Sequence, residues 1–184
     1  MARAKKPATP ADMIRSLAVI LVPLLLITLL FTRNLGDHPV KEVDWRPVLT
    51  TARAQAPFPV LAPTSLPEGW RPTQVAWVPQ GQPYLSGAPS VRNLWKLGFL
   101  TPDDVFVGLS EGDLRPDDLV RDETREGVPD GQSTVGDQTW QRRVSPDDRT
   151  RSLVSTGGKA TTVVSADLPY EALEAYVGTL STSG

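Results

Sequence analysis

The sequence predicts an α+β chain: an N-terminal transmembrane helix, then one domain on a mainly antiparallel sheet of about five or six strands, a helix before it and a C-terminal helix packed on it. Three observations predict this. Residues 13–32 form an apolar run behind a basic start, several later segments alternate with period two, and Leu173, Tyr176, Val177 and Leu180 repeat with helical spacing. The expected organisation is a basic cytoplasmic tail at 1–12, a transmembrane helix at 13–32, a linker at 33–43 and one domain at 44–184.

The uncharged stretch Ser16 to Thr32 would reach ~25 Å as a helix, and ~30 Å with Met13 to Arg15, enough for one pass through a bilayer. Its apolar residues leave no polar stripe, which argues against a helix lying on the membrane surface. Pro23 predicts a kink that a membrane helix tolerates. Arg3, Lys5, Lys6 and Arg15 precede or open the run and only Arg33 follows, so the N-terminus is expected in the cytoplasm and the domain outside it, extracytoplasmic and held at the plasma membrane through residues 13–32. A cleaved signal peptide is the competing reading. Against it, the run is longer than the usual signal core and Thr32 to Asp37 contain no small-x-small site; the nearest, Ala54-Gln55-Ala56, is too distant.

The chain has no cysteine, which excludes disulfides, a lipid-attachment thiol, thiolate zinc, iron–sulfur clusters and a cysteine nucleophile. The domain must then be held by its own core, and its length suits one core. Setting aside Arg3, Lys5, Lys6, Arg15, Arg33 and Asp12 leaves 14 basic against 20 acidic residues, a net of −6. Nucleic acid is therefore excluded as a partner, since phosphate binding needs a basic footprint.

Each element follows in order. Asp44 can cap a helix over 45–56, with Pro47 in its first turn and Trp45, Val48, Leu49 and Ala52 on one face. Pro57-Phe58-Pro59-Val60-Leu61-Ala62-Pro63 cannot continue it and should run extended, a strap across the domain surface. Leu66-Pro67-Glu68-Gly69-Trp70 supplies turn chemistry. Strands are expected at 73–78, 93–101, 105–110, 139–144, 152–156 and 160–166, with hairpins at Pro102-Asp103-Asp104 and at Thr156-Gly157-Gly158-Lys159. Residues 112–137 read as a polar connection containing a short helix at Pro116 to Arg121, its acids in the first turn. Asp167 can cap a last helix from Leu168 to about Leu180, after which Ser181 to Gly184 should fray.

In order and spacing these signals resemble the actinobacterial single-pass membrane proteins grouped as domain of unknown function 4245. The residues that carry the resemblance are the apolar run, the 57–63 segment with Leu66-Pro67-Glu68-Gly69-Trp70, Trp95, Thr134-Val135-Gly136 before Trp140, Leu153-Val154, Thr162-Val163-Val164 and the closing helix. The resemblance implies an extracytoplasmic domain in a Gram-positive envelope. It supplies no activity and no site residues.

A search for catalytic residues finds little. His38 is the one imidazole, beside Asp37 and Pro39 near the membrane boundary, where linker polarity explains it. Ser–Lys chemistry would need Lys41, Lys96 or Lys159 buried beside a serine. The pairs Asp103-Asp104, Asp117-Asp118 and Asp147-Asp148 each follow a proline, so turns and helix capping account for them before acid–base catalysis or calcium. The glycines form no phosphate or dinucleotide loop, and no cofactor or metal is expected. Trp95 and Trp140 read as core. Trp77 and Tyr84, flanking the Gly-, Pro- and Ser-rich loop at 79–89, are the candidate partner contacts. The expected role is a non-enzymatic envelope module that contacts an envelope protein or a small ligand. The alternative is an envelope-polymer hydrolase using carboxylates, and a transmembrane signalling regulator is disfavoured by the short tail.

Overall fold

The computed structural model describes residues 10–33, 41–85 and 87–182, which fall into two compact units, 1–40 and 41–184. In the first, helix α1 runs Pro10–Arg33 around Pro23, with Thr28 Oγ1 donating to the Leu24 carbonyl at 2.7 Å. Its side chains described at 13–29 are all exposed. Among the described residues no helix is long and apolar enough to cross a membrane. The expected run continues to Thr32, and the side chains at 30–33 lie outside those described. His38 and most of the expected linker also lie outside the described residues.

The second unit is α+β. Helix α2 (Arg46–Gln55) and the short strand β1 (Ala62–Pro63) lead into β2 (Arg71–Val78), β3 (Leu94–Leu100) and β4 (Phe106–Gly112). Helix α3 (Pro116–Glu123) separates these from β5 (Val128–Val135), β6 (Gln138–Val144), β7 (Arg151–Ser155) and β8 (Thr161–Ala166), and α4 (Tyr170–Val177) and β9 (Leu180–Ser181) close the chain. The main sheet has seven strands in the order β2-β3-β4-β8-β7-β6-β5, every pair antiparallel, while β1 pairs with β9. Two meanders thus meet at the centre, where β4 pairs with β8.

Period two decides which face is dry. Trp95, Leu97 and Phe99 of β3, Val107 and Leu109 of β4, and Leu153 and Val164 of β7 and β8 share one face and are at most 1 % exposed. Against them pack Trp45, Leu49 and Ala52 from α2 with its preceding residue, and Tyr170, Leu173, Tyr176 and Val177 from α4. Trp70 stacks on Tyr176 at 5.3 Å between ring centroids, and Phe99 meets Tyr176 edge-on at 6.0 Å.

Four expectations need correction. The 57–63 segment is more than a surface strap: Pro57 and Pro59 stay exposed, but Phe58, Val60 and Ala62 between and beyond them are at most 4 % exposed. Prolines at 57, 59 and 63 carry no amide proton, so burying this stretch leaves few donors to satisfy. Leu61 is held at both peptide groups, its N–H donating to Glu111 Oε2 at 2.8 Å and its carbonyl accepting from Trp95 Nε1 at 2.9 Å. The sheet has seven strands because β5 lies in the stretch read as polar connection. As an edge strand β5 is mostly exposed, so it carries no apolar alternation to read. The last helix stops at Val177, and Leu180 and Ser181 pair with Pro63 and Ala62 instead of extending it. Asp167 does not cap α4: its carboxylate accepts from Thr150 Oγ1 at 2.5 Å and pairs with Arg149, and Pro169 takes the cap position.

Both edges of the main sheet are blunted. Pro129 and a register shift between Pro129 and Gln132 interrupt β5, and the Val43 N–H donates to the Pro72 carbonyl on β2 at 2.9 Å.

Glu111 is 1 % exposed and also accepts from Thr162 Oγ1 at 3.0 Å. Burial pushes its pKa from an ordinary 4.5 up to about 7, against the opposing pull of these two hydrogen bonds. The folded state therefore keeps a proton that the unfolded chain loses, so this contribution is complete below about 4.5 and disappears as pH rises through about 7. Between pH 5 and 8 the domain should lose on the order of 3 kcal/mol of stability from this group, and Glu111→Gln should flatten that dependence. Urea denaturation midpoints across this range check it; equal slopes in both proteins would refute the assignment.

Candidate functional site

The opposite face of the sheet carries less cover. Helix α3 crosses it, with Leu119 and Val120 packed on Val154 and Val163 beside Leu94. Asp117 and Asp118 occupy its first turn, as the sequence predicts, and Asp118 pairs with Arg121 at 3.2 Å. The C-terminal end of α3 is fastened by a carboxylate: Glu123 meets Lys96 Nζ at 2.7 Å and accepts from Ser110 Oγ at 2.9 Å. Lys96 and Ser110 are cross-strand neighbours. They are the lysine–serine pair that a Ser–Lys hydrolase would need, but both side chains are engaged by Glu123.

Beside this end of α3 lies a cleft of about 440 Å³. Four segments of the chain line it: Asp104 and Val105 of the β3–β4 turn with Phe106 at the start of β4, Glu123 and Arg125 at the end of α3, Arg149 and Thr150 of the β6–β7 turn, and Ser165, Ala166 and Asp167 at the end of β8. Gly98 and Gly108 face each other across β3 and β4, and the Phe106 ring lies over both. A Cβ on Gly98 would come within 2.5 Å of Phe106 Cε2 and Cζ, and one on Gly108 within 3.2 Å of Cε1. The ring covers what the glycines leave bare, yet Phe106 remains 46 % exposed.

The cleft's carboxylates are each answered. Asp104 pairs with Arg71 at 2.5 Å, Glu123 with Lys96, and Asp167 with Arg149 at 3.4 Å and with the Thr150 hydroxyl. Arg125 has no carboxylate partner among the described residues. It sits in a tight turn in which Arg125 and Glu126 both adopt left-handed backbone, φ 54° and 60°, a conformation that costs roughly 1–2 kcal/mol per non-glycine residue. The turn is held by the Glu126 N–H on the Arg121 carbonyl at 2.7 Å and by the Gly127 N–H on Thr124 Oγ1 at 3.0 Å.

The two residues expected to meet a partner are not brought together. Trp77 points to the α2 face, edge-on to Phe58 at 6.3 Å, with its Nε1–H donating to Gln55 Oε1 at 2.9 Å. Tyr84 reaches the other face, where its hydroxyl accepts from Gln74 Nε2 at 3.3 Å. The loop between them folds back on itself through a Pro83–Pro89 bridge and the Gly81 N–H on the Ser90 carbonyl at 2.8 Å. The three acid pairs serve turns and a helix start, with Asp104 and Asp148 at positive φ, and among the described residues no three His, Cys, Asp or Glu side chains gather as a metal-holding cluster. Trp95 and Trp140 are core, at 0 % and 2 % exposed.

Phe106, Arg125, Arg149 and Ser165 were not singled out by the sequence. For Phe106 a signal existed: it is a large aromatic out of phase with Val107 and Leu109, two residues before a glycine. Arg125 and Arg149 carried none, since exposed arginines in polar turns are ordinary.

Gly98→Ala should displace the Phe106 ring and destabilise the domain by about 1–3 kcal/mol, while Gly157→Ala, whose added methyl meets nothing within 4 Å, should change stability by less than about 0.5 kcal/mol. Urea unfolding of both variants checks this; equal effects would contradict the packing described.

No curated protein matches the chain. The family model described as protein of unknown function, DUF4245, matches residues 5–180. That match takes in the N-terminal run, the buried 57–63 segment, the whole seven-stranded sheet and α4, and the chain belongs to the DUF4245 family.

Proposed function

We propose that this protein is a single-pass membrane-anchored module of the cell envelope, its α+β domain extracytoplasmic, which binds a ligand or envelope protein at the cleft beside α3 and performs no chemistry on it. The observation that carries the binding reading is the state of the cleft's carboxylates. Asp104, Glu123 and Asp167 converge from three elements, as a carboxylate hydrolase requires, but each already holds a cation. A glycosidase needs one carboxylic acid free to give up a proton and one carboxylate free to attack or to activate water. Their convergence alone favours the hydrolase as second reading.

The anchor rests on the sequence: the apolar run at 13–32 and its basic start suit a bilayer. So do the large side chains at 13–29, which stay 48–73 % exposed.

Two measurements test this. Protease added to intact cells should digest residues 41–184 while a cytoplasmic marker survives, and the mature protein should retain residues 13–32 by mass spectrometry; a shielded domain or a shortened chain overturns the topology. For the cleft, the full chain in lipid nanodiscs is screened against mixtures of small metabolites by saturation-transfer NMR. Binders that lose their signal in Ser165→Trp support the binding reading. Release of sugar from envelope polymer that vanishes in Glu123→Gln would favour the hydrolase.

A further inference from the structure

Four observations at the cleft bear on what it would hold. Its volume, about 440 Å³, is that of a small-molecule site. The Phe106 ring rests on two glycines with about half its surface open, a platform on which a flat ring can lie. The lining carries Asp104, Glu123 and Asp167 against Arg125 and Arg149; the three acids are paired with Arg71 and Lys96 from outside the lining and with Arg149, and Arg125 is the lining base with no carboxylate partner among the described residues. Finally, Ser165 Oγ, which lies 3.7 Å from where a Gly108 Cβ would stand, makes no hydrogen bond among the described residues and can donate or accept one.

Arg125 does not reach the cleft by chance of an extended side chain alone. Two consecutive left-handed residues are conformations that the chain adopts at a cost, and here the hydrogen bonds from the Glu126 and Gly127 amides fix the turn that carries Arg125. A guanidinium so placed favours a planar anion that accepts two parallel hydrogen bonds. Several phosphates would need more cations than the single one left over, and a cationic ligand would find the acids already neutralised.

We infer that the cleft takes a ring-shaped monoanion, an aromatic or sugar ring bearing one carboxylate, with the ring laid on Phe106 and the carboxylate received by Arg125. This deepens the binding reading above and rests on it. The Ser165 hydroxyl then meets a ring substituent or the second carboxylate oxygen.

The test uses the full chain in nanodiscs and titrates benzoate and glucuronate, with benzyl alcohol and glucose as neutral counterparts, by calorimetry or ligand-observed NMR. Binding of benzoate, glucuronate or both is expected, with an affinity for the anion at least about tenfold weaker in Arg125→Gln. The neutral counterparts should bind more weakly and ignore that substitution. Phe106→Ala should weaken every ring, and because it uncovers two glycines, its circular dichroism is checked first; Arg125→Gln touches no packed residue and carries the test alone. Benzoate without glucuronate assigns an aryl acid, glucuronate without benzoate a uronic acid, and either supports the inference. Neither binding, or equal binding to Arg125→Gln, overturns it. If a different ligand from the mixture screen still responds to Ser165→Trp, the ring-anion assignment falls and the binding reading survives; if none responds, both fall.

Discussion

Leu61 is gripped at both of its peptide groups by side chains from the sheet, and the packing of the domain depends on that grip. Glu111 takes the amide proton and the Trp95 indole gives one to the carbonyl. These bonds draw a proline-rich segment, which has few amides to satisfy, into the space between α2 and α4, where Phe58, Val60 and Ala62 complete the apolar core. Removing either partner would leave a buried peptide group unpaired, at a cost of about 1–3 kcal/mol. The same closure explains why Leu180 leaves the helical pattern: β9 pairs with β1, the end of the gripped segment.

Because the segment, α2 and α4 all lie on one face, α3 is the one helix packed on the other among the described residues. That asymmetry is what makes room for a cleft. Phe106, whose ring covers the two facing glycines, lines it together with the turns between strands and the end of α3. The acids in those turns neutralise the arginines and lysine around them. Fold stability and the cleft's charge are thus settled by the same ion pairs.

Sequence reading found what repeats and missed what is exposed or strained. Six strands, both hairpin couples, α2, α3 and the buried stripe of α4 were legible because period two and helical spacing are written into core residues. Strand β5 was not, since an edge strand that buries little beyond Ser133 has a loop's composition. The 57–63 segment was placed outside because prolines usually mark the surface, and only the pairing of Leu61 with Glu111 and Trp95, 50 and 34 residues away, reverses that. Trp77 and Tyr84 stand out in the sequence as aromatics beside a loop; β2 turns Trp77 toward Phe58, while Tyr84 lies in the loop beyond the strand and meets Gln74. The cleft's own residues come from four separate segments, and no local pattern joins them.

The two borders of the sheet differ from its interior in a way that bears on self-association. A proline and an irregular register occupy one border, and the stretch leading into α2 leans on the other. Neither offers a long unbroken row of amides and carbonyls to a neighbouring copy. Crowded molecules of this chain should therefore resist lengthening their sheets into one another, and a fibrous aggregate would first have to strip the amino-terminal approach from β2 or iron out the kink in β5.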